Sequence, residues 1–274
     1  MSSVNQPVRR VPSIAQRALA WAGIAWFSVA AFGQAAFIYF ILAFYGPRTL
    51  SGDFERWNDK DLITGYVAGD TAGNLVFAAH VLLAAVVTLG GLMQLVPSLR
   101  RRFPGLHRWT GRAFLSVACF LALSGFWMSV SRGSYLSMIS AVAISINGVL
   151  ILAFAAMAWR HAIKRQFDRH RIWAMRTFMV VSGVWFLRVG LMGWIVLNQG
   201  PAGLTGDMSG PTDTVFTFGS YLIPLALLEV YFAAQRSAGF VLKILAATMT
   251  AAATLFTAAG IFGTVAIMWR PYLW

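Results

Sequence analysis

The sequence predicts an all-α fold: a polytopic membrane helical bundle of seven transmembrane helices, with the N-terminus inside and the C-terminus outside. Three observations predict it. The 274 residues are 58% hydrophobic and 11% charged, whereas a soluble domain carries about 25% charge. A chain this apolar has too little polar surface to face water, so lipid is its solvent. Seven apolar runs approach or exceed the ~20 residues that cross a bilayer. The basic residues between those runs fall mostly on one side.

The runs are Ala18–Tyr45, Leu75–Val96, Ala113–Val130, Leu136–Trp159, Ala174–Leu197, Val215–Ala234 and Phe240–Trp269. The first is too long for a signal-peptide core and follows Arg9, Arg10 and Arg17, which predicts an uncleaved signal anchor. The third is short, and its helix is expected to begin near Pro104, since proline suits a first helical turn. With the N-terminus inside, only Arg48, Arg56, Lys60, Arg132 and Arg270 fall outside and Arg188 lies within a span. All the other Lys and Arg lie inside, as the positive-inside rule requires. Acids run the other way, with Asp53, Glu55, Asp59, Asp61, Asp70, Asp207 and Asp213 outside.

The organisation expected is a single membrane domain over 1–274. It has a cytoplasmic tail at 1–17, a four-helix core at 75–197 and two C-terminal spans at 215–269. The core carries a short internal repeat. His107-Arg108-Trp109-Thr110-Gly111-Arg112 and His170-Arg171-Ile172-Trp173-Ala174-Met175-Arg176 each precede a span leaving the same face, which suggests a parallel two-helix repeat. Two connections, 46–74 and 198–214, are long. Each either caps a cavity or is a solvated connector, the plainer reading.

The formal net charge of +13 does not point to nucleic acid, because no soluble basic domain exists to carry such a surface. The lone Cys119 excludes an intrachain disulfide and a cysteine metal cage. No Walker, Rossmann, metalloprotease or nucleophile-elbow pattern is present, and no catalytic residue is assigned.

The candidate functional residues are the ionisable groups placed in or beside apolar runs, where they cost energy and need a partner. His107 and His170 begin two parallel helices near the inner face. Neutral imidazoles in that position suit axial ligation of a haem b iron, with Arg108, Arg112, Arg171 or Arg176 pairing its propionates. The alternative is that they meet anionic lipid head groups at the interface. His161, at the end of the fourth span, is expected at the interface.

His80 lies about 8 Å, and Arg188 about 21 Å, along its helix from the run's start, which brings them to similar depth. Together they predict an outward polar pocket for an anionic solute, a quinone head group or a propionate. Otherwise Arg188 reaches an acid such as Asp70, or a carbonyl. Glu229, about 13 Å away in depth, is either proton-linked or paired with inner basic residues. Gln34, Gln94 and Asn147 are expected as interhelical hydrogen bonders, and Gly111 as a close-packing position.

His80 in an apolar helix, the His107-Arg108-x-x-Gly111-Arg112 and His170-x-x-Trp173-x-x-Arg176 hairpins, and Arg188 in the next span resemble an uncharacterised bacterial family of multi-pass membrane proteins, filed as a domain of unknown function. The resemblance covers about residues 75–195 and implies a bacterial inner membrane, with no activity attached. A looser resemblance is to b-type cytochromes built on a four-helix membrane bundle. It implies at most one haem near the inner face, because only His80 is outward. Three functional classes follow: a redox protein binding haem b or a quinone and serving a partner protein, a transporter-like protein with an outward anion pocket, and an accessory or lipid-binding subunit.

Overall fold

The computed structural model describes residues 12–60 and 63–273, and all regular structure among them is helical. Helix α1 spans Ile14–Leu50 and is closed at its start by a capping box. The Ser13 hydroxyl accepts from the Gln16 amide at 3.2 Å, and the Gln16 side chain accepts from the Ser13 amide at 2.8 Å. This cap pairs two otherwise orphaned donors, so α1 starts within the stretch expected to be tail. Arg9 and Arg10 lie outside the described residues.

Next come α2 (Thr71–Leu95), a short α3 (Pro97–Arg102), α4 (Pro104–Arg132) and α5 (Met138–Ile163). Helix α4 begins at Pro104, as expected. It ends at Gly133, whose backbone φ of 60° suits a residue without a Cβ. The apolar run expected as one fifth span is instead two helices, α6 (Phe167–Val181) and α7 (Gly183–Asn198), bent by 54°. Their junction is Ser182-Gly183. A serine–glycine pair combines a poor helix former with a side chain that competes for backbone hydrogen bonds, a usual cause of sharp kinks.

Helices α8 (Pro211–Arg236) and α9 (Phe240–Gly263) follow. A π-helical stretch, Thr264–Trp269, then continues the last span. Six helices are long and apolar enough to cross a membrane, and the bent α6–α7 pair, counted as one span, brings the number to seven.

In the bundle, α2 packs on α4 and α5 on α6, the two hairpins of the repeat, and they meet through α4 and α5. Helix α9 lies between α1 and α7. Large apolar side chains such as Trp21, Phe32, Leu123, Leu255 and Phe262 are exposed, whereas Gln34, Asn147 and Thr177 are buried. That inversion is what a hydrocarbon surrounding selects. The connections 51–70 and 199–210 mark one face, here the loop face. The connections 96–103 and 164–167 mark the other, the hairpin face.

Candidate functional site

The loop between α1 and α2 is not a solvated connector. Its 3-10 turn, Phe54–Asp59, buries Trp57 against Phe77 with ring centroids 5.6 Å apart. The Asn58 carboxamide closes the chain on itself, accepting from Gly65 N at 2.7 Å and donating to Tyr66 O at 2.9 Å. Arg132, from the end of α4, then clamps the far side. It pairs with Asp70 at 3.1 Å and donates to Gly73 O at 3.0 Å and Asn74 Oδ1 at 3.2 Å. The loop therefore caps the bundle. The second long loop is also folded, around the buried Asp213. That carboxylate accepts from the Thr205 amide and hydroxyl, both at 2.8 Å.

Beneath the cap lies Arg188. Its side chain is half-buried. Its Nη1 donates to Val184 O at 2.9 Å, one turn back on its own helix, and its Cζ stands 5.6 Å from the Phe37 ring centroid. Among the described residues no carboxylate pairs with it. Asp70 is engaged by Arg132, so of the two partners expected for Arg188 it has the carbonyl.

The group that approaches Arg188 was not legible in the sequence. Lys60 hangs from the cap, its Nζ 5.7 Å from the Phe40 centroid, within electrostatic reach of Arg188. Burial, with the charge of Arg188 added, pushes the Lys60 ammonium from its ordinary 10.5 down to about 7. Tyr45 lies within reach of both Arg188 and Arg48. Two cations and a phenol thus converge on one region walled by Phe37 and Phe40.

His80 turns elsewhere. Its Nδ1 is 2.8 Å from Ser124 Oγ on α4, whereas Arg188 stands over α1. No hydrogen bond links His80 to Arg188 among the described residues.

At the hairpin face the two repeat motifs share a geometry. Arg112 stands 5.0 Å from the Trp109 ring and Arg176 stands 4.5 Å from the Trp173 ring. Their settings differ. Arg108, Arg112 and Arg171 are exposed, while Arg176 turns inward and forms a bidentate pair with Glu229 at 2.7 and 2.9 Å. Of the two roles expected for Glu229, the geometry contains the pairing.

His170 Nδ1 lies 2.9 Å from Ala158 O. Only a protonated Nδ1 donates to a carbonyl, so the neutral ring keeps its lone pair on Nε2. His107 Nδ1 is buried with no hydrogen-bond partner among the described residues, and the two imidazoles are within electrostatic reach. His161, expected at the interface, is buried and bonds Gln166 Oε1 at 2.7 Å. No group of three or more metal-ligating His, Cys, Asp or Glu side chains occurs among the described residues.

The polar residues expected to join helices do so. Gln34 donates to Ser182 Oγ at 3.1 Å, Asn147 to Val180 O at 3.1 Å, and Gln94 to Thr110 Oγ1 at 2.6 Å. Two of these contacts grip the α6–α7 break from opposite sides. Asn147 satisfies a carbonyl next to the break, and Gly183 gives its amide room: a Cβ there would lie 3.0 Å from Asn147 Nδ2.

Helices that expose their apolar side chains and bury their few polar ones, with cations gathered under a folded cap, define a polytopic helical membrane protein. The chain belongs to the family described as predicted membrane protein (DUF2306), whose model matches residues 77–232. That stretch runs from α2 through most of α8 and includes every motif residue discussed above. Searches of curated proteins and of solved structures find no match.

Proposed function

We propose that the chain is a transporter-like membrane protein that receives an anionic solute beneath the cap, between Arg188 and Lys60. The observation that supports this reading is a half-buried guanidinium within a span, with a second cation in electrostatic reach and no carboxylate paired with it among the described residues. An uncompensated charge at such depth is costly. An anion arriving between the two cations removes that cost. A guanidinium offers a carboxylate two parallel hydrogen bonds, and the Phe37 and Phe40 walls suit an apolar body attached to the charge.

The test is thermal unfolding of the purified protein in detergent, with potassium benzoate against equal potassium chloride. Saturating benzoate is expected to raise the melting midpoint by about 5 °C or more, and Arg188→Gln to abolish the rise. Equal midpoints in the two salts for the native chain would refute the reading.

A second reading is a redox protein holding haem b, or a quinone, at the start of α4 and α6. His170, with Nδ1 committed to Ala158 O and Nε2 left for an iron, supports it, since ligating histidines usually donate their other nitrogen in this way. Its test is the absorption spectrum of the purified protein, oxidised and reduced. A Soret band lost in His170→Ala favours this reading, and a featureless visible spectrum refutes haem. The membrane is read as the bacterial inner membrane, with the hairpin face cytoplasmic, where the exposed Arg108, Arg112 and Arg171 meet anionic head groups or a partner protein.

A further inference from the structure

Three aromatic residues on one face of α1, Phe37, Phe40 and Phe44, are spaced three and four residues apart, the interval that stacks side chains along a helix. Each carries a cation drawn from a different position. Arg188 of α7 stands over Phe37, Lys60 of the cap over Phe40 at 5.7 Å, and Arg48 of α1 over Phe44 at 4.0 Å. Trp269 from the π-helical stretch stacks on Phe37 at 5.6 Å and on Phe40 at 5.1 Å, with interplanar angles of 18° and 12°. Tyr272 packs edge-on to Phe44 at 6.0 Å. The aromatic column is thus braced by the last span. Seven residues of helix separate the first ring from the last, about 10 Å of depth.

The outermost rung opens to solvent. Arg48, Arg56, Asp59, Tyr39 and Tyr272 line an open cleft of about 600 Å³ on the loop face. There Asp59 neutralises part of the charge, bonding Arg48 at 3.3 Å and Arg56 at 3.2 Å. Arg48 keeps a buried Nε with no partner among the described residues. Further in, no carboxylate pairs with Lys60 or Arg188 among the described residues, and the two cations are within electrostatic reach. The column is therefore partly neutralised at the cleft and becomes more positive with depth, which draws an anion inward.

Resting on the anion-pocket reading, we infer that Arg48, Lys60 and Arg188 form a stepped entry path for an organic monocarboxylate, and that Lys60 takes up one proton as the carboxylate arrives. The proton comes from bulk water through the cleft, and no covalent bond forms or breaks. Without a ligand the ammonium of Lys60 is opposed by burial and by Arg188. The attraction of a carboxylate between them offsets both, so the amine binds the proton that it otherwise releases near pH 7. The charged and titratable groups of the cleft and column beside Lys60 are Tyr45 and Arg48 of α1, Arg56 and Asp59 of the turn, Arg188 of α7 and Tyr272 of the C-terminal turn, and of these Arg188 acts directly on Lys60. Asp70 of α2 is held by Arg132, and Asp61, next to Lys60, lies outside the described residues.

The experiment is benzoate titration calorimetry of the full chain in detergent at pH 6, 7, 8 and 9, repeated in buffers of different ionisation enthalpy. Benzoate stays ionised throughout, carboxyl groups titrating near pH 4. Affinity is expected to fall about tenfold per unit above pH 7, with about one proton taken up per benzoate at pH 8. Lys60→Gln should bind weakly at every pH and Lys60→Arg tightly at every pH. Arg48→Gln should slow association several-fold at low ionic strength, as loss of a rim charge does.

Native binding that needs Arg188 but neither varies with pH nor takes up a proton overturns the proton-linked path and leaves the anion pocket standing. No Arg188-dependent binding at pH 6 overturns both.

Discussion

A few charged side chains take their roles from the partners they meet. Arg132, Arg176 and Arg188 all leave helices of the bundle, yet among the described residues two meet carboxylates and one does not. Arg132 holds the cap, Arg176 ties α6 to α8, and Arg188 remains available to a ligand. Lys60 adds a consequence that can be read without any ligand. A base whose folded pKa is depressed binds its proton more tightly when the chain unfolds. Between about pH 7 and its ordinary 10.5 the unfolded chain therefore carries more protons, and stability rises with pH across that window. The melting midpoint of the ligand-free protein is expected to climb from pH 7 to pH 9, and to climb less in Lys60→Gln. Equal slopes in the two proteins would remove Lys60 from the account. Arg188 was visible in the sequence as an isolated charge in an apolar run. Lys60 was not, because nothing in a polar loop marks which of its cations will fold inward.

At the scale of elements, the close approach of α7 and α9 fixes where Arg188 stands. Gly260 of α9 packs against the backbone of Val189, and a Cβ at Gly260 would collide with the Val189 carbonyl oxygen and lie 2.7 Å from Val189 Cγ1. Backbone cannot give way as a flexible side chain does. Gly260→Ala is thus expected to destabilise the protein by about 2–3 kcal/mol, lowering the melting midpoint by about 5–10 °C, and to weaken benzoate binding through the shift of α7. An unchanged midpoint would mean the two helices separate freely. The α6–α7 break belongs to this scale too. The Ser182-Gly183 pair was present in the sequence, but an unbroken apolar run reads as one helix because hydropathy records burial, not backbone angle. The grip of Asn147 and Gln34 on that break comes from α5 and α1, far away in the chain, and no local pattern announces it.

For the whole molecule, basic residues concentrate on the hairpin face, so that face is expected in the cytoplasm. In a Cys119→Ala background, a membrane-impermeant maleimide applied to intact bacterial cells should label Ser209→Cys on the loop face and leave Lys164→Cys unlabelled. The reverse pattern would invert the topology and move the cleft at Arg48 to the cytoplasmic side. The repeat also acquires its meaning here. Its two hairpins lie side by side with matching Trp–Arg stacks, but one stack faces outward and the other is drawn inward by Glu229. The same short motif is exposed in one copy and tied to α8 by a part-exposed ion pair in the other.

The amino-acid order alone determined that helices cross a membrane, roughly where they begin and which face is basic. Those properties follow from summed transfer energies and loop charge, which are additive along the chain. Only the tertiary structure decided that the first loop is a cap, that α6 and α7 are bent apart, that His80 bonds Ser124, and that Lys60 and Arg188 come within electrostatic reach. Each of those depends on which side chains distant in sequence share a small volume of low dielectric, and pairing there is set by packing geometry.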